Sequence, residues 1–81
     1  MNSDQVHAHI DDLVVEEQTL LEHGGHEGGL DDAAHERLSA IKIELDRYWD
    51  LLRQRRALEE SGLDPEVARI RSEETVEGYL Q

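Results

Sequence analysis

LDRYWDLLRQRRALEE, residues 45–60, is the centre of the longest helical pattern in the chain, which runs from Asp31 to Gly62. Ala34, Leu38, Ile41, Leu45, Tyr48 and Leu52 recur across it in alternating steps of four and three, a heptad spacing that lines side chains along one seam. The next two seam positions are Arg55 and Glu59. The apolar face therefore turns charged before the helix ends, and its far end is expected to be used differently from its beginning.

Upstream, Asn2 to Gln5 has the form of a capping box, a short polar N-cap with Gln three residues later. Val6, Ile10, Leu13, Val14, Leu20 and Leu21 then fall on one face at helical period, predicting a first helix over about 4–23. Glu17 interrupts that stripe, and a buried carboxylate there would require a partner. Residues 24–30 form a turn with glycine at positions 24, 25, 28 and 29, which removes helix propensity. So short a connection folds two helices back antiparallel. Asp31 is placed to N-cap a long second helix over about 32–61, with Asp32 near its positive end.

Counting from the turn, Leu20 should meet Ala34 or Leu38, Leu13 should meet Ile41 or Leu45, and Val6 should meet Tyr48 or Leu52. The second helix then outreaches the first, ~45 Å against ~30 Å. Its last turns, with Arg53, Arg55, Arg56 and Leu58, are expected to overhang. Trp49, Leu51, Leu52 and Leu58 would need a cover, from the C-terminal segment or a second subunit. Gly62 suits a left-handed C′ position with Leu63 returning to Leu58. Asp64-Pro65-Glu66 reads as the start of a short helix over 65–71. In the tail, 72–81, Ser72 can cap a further turn that Gly78 weakens. The expected fold is all-α: one domain, an antiparallel two-helix hairpin with a short C-terminal helix, dimerising into a four-helix bundle.

Eighty-one residues support one thin core, and without cysteine neither disulfides nor thiolate metal sites can reinforce it. The net charge of -12 opposes free binding to DNA or to an anionic membrane. Residues 1–36 carry acids and no Lys or Arg, so any basic surface is local to the second helix. No apolar run approaches the ~20 residues that span a bilayer. No charged-then-apolar leader precedes the first helix, so a cytoplasmic protein without a signal peptide is expected.

Glu17, His23, His26 and His35 are the candidate metal ligands. The glycine turn preorganises them poorly, and Asp32/His35 only faintly resembles the Glu-x-x-His of ferritin-like bundles. No cofactor is expected. The hydroxyl side chains lack a plausible base or oxyanion loop, and the paired glycines match no phosphate-binding loop. Catalysis is not expected. Arg53-Gln-Arg-Arg56 is the basic cluster, with Trp49 one turn before it and suited to stacking or carboxylate contacts. Its arginines are expected either to pair with acids of this chain or to dock an acidic partner segment.

LDRYWDLLRQRRA (45–57), the Gly-x-Asp-Pro connection 62–65 and the terminal TVEGYLQ (75–81) resemble a family of very short actinobacterial proteins defined only as a domain of unknown function. The likeness spans nearly the whole chain and is densest in its second half. Where such proteins often carry Gln-Cys before the tryptophan, this chain has Arg47-Tyr48. The resemblance implies a stand-alone helical protein and supplies no catalytic residues. The expected function is a non-enzymatic interaction module, an adaptor or regulator. It would dock a protein partner through Trp49, Arg53, Arg55, Arg56, Tyr79 and Leu80. A metal-binding bundle and a weak nucleic-acid-associated regulator are the alternatives.

Overall fold

A computed structural model describes residues 1–24 and 29–80, with side chains described to residue 76. Its order is α1 (Ser3–Gly24), α2 (Asp32–Glu60), a 3-10 turn (Pro65–Val67) and α3 (Glu73–Leu80). Each boundary has a local cause. At the start of α1, Asn2 N–H donates to Gln5 Oε1 and Gln5 N–H donates to Asn2 Oδ1, both at 2.8 Å, a reciprocal capping box. Asp31 caps α2 by accepting from Ala34 N–H at 2.7 Å. At its other end Gly62 takes φ +73°, and Leu63 N–H reaches Leu58 C=O at 2.8 Å, closing a Schellman motif.

The hairpin packs through Val6, Ile10 and Leu51, with Val14, Leu45, Tyr48, Leu52 and Ala68 around them. Leu13 and Ile41 are also buried nearer the turn. Leu20 and Ala34 border the same gap at the turn, as the register count requires. There Leu30 folds onto Gly24 so closely that a Cβ on Gly24 would stand 2.5 Å from Leu30 Cγ. Across the middle, Glu16 rather than Glu17 links the two helices. Arg37 Nη2 donates to Glu16 Oε1 at 2.7 Å and Arg37 Nη1 reaches Glu44 at 3.3 Å. Hydrogen bonding from Arg37 holds the Glu16 carboxyl below its usual range, against an opposing desolvation effect. Glu17 is only half-buried, so it needs no partner.

The C-terminal segment departs from the expected helix over 65–71. Asp64 caps through Glu66 N–H at 2.9 Å, but only three residues coil before the chain extends from Ala68. The physical reason lies on α2. Arg47, Asp50 and Gln54, spaced three and four apart, form a polar stripe beside the apolar seam. Arg47 Nε donates to Arg71 C=O at 2.8 Å, and Gln54 Nε2 donates to Arg69 C=O at 2.7 Å. These side chains satisfy carbonyls that a helix would otherwise have paired internally. Ser72 Oγ then accepts from Thr75 N–H at 3.2 Å, and α3 continues through Gly78 to Leu80. Val76 of α3 is 1% exposed, and α3 packs on α2.

Asp50 is fully buried, and its carboxylate needs neutralising. Arg71 supplies this, with Nε on Oδ2 at 2.8 Å and Nη2 on Oδ1, while Gln54 Nε2 adds a bond at 3.0 Å. Hydrogen bonds from Arg71 are the largest cause holding the Asp50 carboxyl below its ordinary value. Desolvation opposes them, and Gln54 and the charges of Arg71 and Arg53 assist. A lowered native pKa means the unfolded chain takes up this proton first. The stabilisation is whole above the unfolded value, near ~3.9 for Asp, and is lost as pH falls through the native one. Acid titration followed by circular dichroism should show α3 and then the hairpin lost below about pH 4. Asp50→Asn should cost about 1–3 kcal/mol at neutral pH and flatten the acid slope.

Candidate functional site

Arg55 occupies the seam position where the heptad pattern turns charged, and it is 5% exposed. Its Nε donates to Ser3 Oγ at 2.9 Å, Nη1 to Met1 C=O at 2.8 Å and Pro65 C=O at 3.2 Å, and Nη2 to Glu66 at 3.0 Å. The guanidinium thus ties α1, α2 and the 3-10 turn together at the open end of the hairpin. This corrects the expectation that Arg55 belongs to a docking surface. Each of its nitrogens is already spent inside the fold.

The overhang is correspondingly shorter than expected. Because Ser3 sits beside Arg55, only about the last five residues of α2, roughly 7 Å, run past α1. Leu51 is buried in the hairpin core and Leu52 and Leu58 are half-buried. Trp49, by contrast, remains 45% exposed.

Trp49 forms one side of a groove of about 400 Å³ lined by Ser3, His7, Trp49, Leu52, Arg53, Arg56 and Glu59. Histidines of α1 brace the two aromatic rings of α2. His7 meets Trp49 edge-on, with centroids 6.4 Å apart and planes at 79°. His9 stacks on Tyr48 at 5.3 Å with an interplanar angle of 5°. The T-shaped contact leaves the other side of the indole open to a ligand.

The groove's arginines differ from the rest. Arg37, Arg47, Arg55, Arg69 and Arg71 each donate hydrogen bonds. Among the described residues Arg53 and Arg56 donate none. Arg53 stands 3.8 Å from Asp50, whose oxygens are already held by Arg71 and Gln54. Arg56 Nε lies 3.4 Å from Glu60, with both side chains largely in solvent, so water screens the pair. Two guanidiniums with unspent donors therefore flank a half-exposed indole in a chain of net charge -12.

The structure brings Trp49, Arg53 and Arg56 together and removes Arg55 from their company. Tyr79 and Leu80 belong to α3, but their side chains lie outside the described set; the arm that leads to α3 is held on the side of α2 that bears Arg47 and Gln54. His7, Leu52 and Glu59 were not singled out as site residues from the sequence. The i,i+2 pair His7/His9 opposite Tyr48-Trp49 carried a signal only in hindsight of the register. Among the described residues no three His, Asp or Glu side chains are disposed to hold a metal ion. Glu17 is half-buried on α1, His23 lies at its end, and His35 is exposed early in α2. His26 lies outside the described residues. No described helix is long and apolar enough to cross a membrane.

The family described as "Protein of unknown function (DUF2630)" matches residues 2–81. Uncharacterized proteins of Mycobacterium tuberculosis and Mycobacterium bovis are 50% identical to this chain over 72 residues, which is 89% of it and 83% of each relative. No solved structure matches it.

Arg53 and Arg56 should be dispensable to folding and Arg55 indispensable. R53Q with R56Q should change unfolding free energy by no more than ~0.5 kcal/mol. Arg55→Met, which removes the buried guanidinium that joins three segments, should cost about 1–3 kcal/mol. Urea denaturation followed by Trp49 fluorescence measures both.

Proposed function

We propose that this chain, which belongs to the DUF2630 family of unknown function, is a non-enzymatic interaction module, an adaptor or regulator. It docks a protein partner through the Trp49–Arg53–Arg56 groove. The division of labour among the arginines carries this reading. Among the described residues, five of the seven arginines donate hydrogen bonds, and the two that do not stand together beside Trp49. Arg and Trp are among the side chains that carry most of the binding energy at protein interfaces. Tagged protein should retain a specific partner from native cell extract, and R53Q/R56Q should release it with helicity unchanged. Retention by that folded variant would remove the reading.

A homodimer is proposed alongside it. Val15 and Leu21 on α1 are 62% and 53% exposed, and Leu63, Val67 and Ile70 on the connection are 60%, 59% and 40% exposed. Val15 and Leu21 supply apolar area for pairing two hairpins into a twofold four-helix bundle. Sedimentation equilibrium should give twice the chain mass at micromolar concentration, and Val15→Glu should restore the monomer. A monomer at every concentration would dispose of the dimer and leave the groove untouched.

A further inference from the structure

Deepening the docking reading, and resting on it, we infer that the groove's occupant is an acidic amphipathic helix of a partner protein, laid antiparallel to α2. It presents carboxylates at positions n and n+3 in its first turns and a bulky apolar side chain at n+7.

The spacing comes from α2 itself. At about 100° per residue, Arg53 and Arg56 fall within about 40° of Trp49 around the helix, ~6 Å and ~10.5 Å further along it. A second helix repeats side chains at the same rise. Acids three positions apart on it therefore stand opposite Arg56 and Arg53, and a residue four positions beyond them stands opposite Trp49 and Leu52. Leu52 and the indole form the apolar floor, and the unspent guanidinium N–H groups form the rim.

Direction follows from the dipoles. Carboxylates are favoured near a helix N-terminus, so an acidic pair belongs at the start of the partner's helix. Antiparallel packing lays that start over the C-terminal turns of α2, whose last turn carries no basic residue to occupy it. The partner's positive end thus meets the negative end of α2. An extended peptide would gain no sheet edge here, since the described elements are helical.

Charge selects the chemical class. Glu59 lines the groove and Glu60 stands beside Arg56. A continuous phosphate chain would carry repeated negative charge past both acids, against the chain's net -12. Two carboxylates set one turn apart meet the arginines with less of that repulsion.

The protein's single tryptophan makes the test direct, because Trp49 emission reports occupancy of the groove. The probes are blocked, alanine-rich synthetic helices without tryptophan, carrying Glu at n and n+3 and Leu at n+7. The acidic helix should shift Trp49 emission to shorter wavelength saturably. Its Glu→Gln counterpart should bind roughly tenfold more weakly, and R53Q/R56Q protein should lose a similar factor toward the acidic helix. A helix with the same residues in reversed order should also bind less well. Equal binding of the Gln helix, equal binding of the reversed helix, or no binding at millimolar peptide overturns the inference. So does stronger binding of an oligothymidylate of matched charge, which would favour nucleic acid. A chain mass that R53Q/R56Q lowers would make a second copy the occupant and likewise overturn it. If the acidic helix fails while R53Q/R56Q still releases a native partner, this inference falls and the docking reading stands. Failure of both measurements removes both.

Discussion

A charge buried on α2 must be matched by partners from elsewhere in the chain, and Arg55 is the clearest case. Its guanidinium lies in the line of seam residues that joins the two helices, where a leucine would extend the core by one more layer. An arginine instead gathers Met1 C=O, Ser3, Pro65 C=O and Glu66 into a single knot. Three segments become mutually dependent, because losing any one strands donors in a place water barely reaches. The start of α1, the last turns of α2 and the 3-10 turn are joined by this one side chain.

The same logic repeats one turn away. Asp50 is sealed from solvent and recruits Arg71, while its neighbours on the stripe, Arg47 and Gln54, hold the backbone of the arm that delivers Arg71. The small core of Val6, Ile10 and Leu51 is thereby supplemented by polar contacts with specific geometry. Such pairs contribute less net stability than apolar packing of the same volume, but they specify where a segment goes. Here they hold the arm that precedes α3 against α2.

What those polar networks leave over gives the molecule its distinctive surface. One flank of α2 is closed by α1 and another by the arm and α3. The remaining flank carries Trp49, Arg53 and Arg56, bounded by His7 of α1. An apolar ring beside two cations that donate no hydrogen bond among the described residues, on a strongly acidic molecule, is a localised feature and not part of a general charge pattern. It suits recognition of a small acidic and apolar element, and the mycobacterial relatives offer chains in which that flank can be compared.

Local chemistry written in the sequence determined the elements. The capping box at Asn2, Asp31, the Gly62 Schellman close and the heptad from Ala34 to Leu52 act over a few residues, so each is readable from neighbours alone. The switch from Leu52 to Arg55 also announced that the end of α2 is special. Its meaning depended on contacts between residues 52 and 54 positions apart, with Ser3 and Met1, which no local pattern reports. Arg55 reads like Arg53 and Arg56 in the chain, and only the third dimension separates one buried clamp from two exposed rim residues. The arm over Ala68–Ser72 likewise has a helical sequence signal at Asp64-Pro65 but is drawn straight by Arg47, Asp50 and Gln54 on another element. Sequence settled where α1 and α2 start and stop. Tertiary structure decided which charges are spent, because satisfying a buried ion requires partners that only folding brings within 3 Å or so of it.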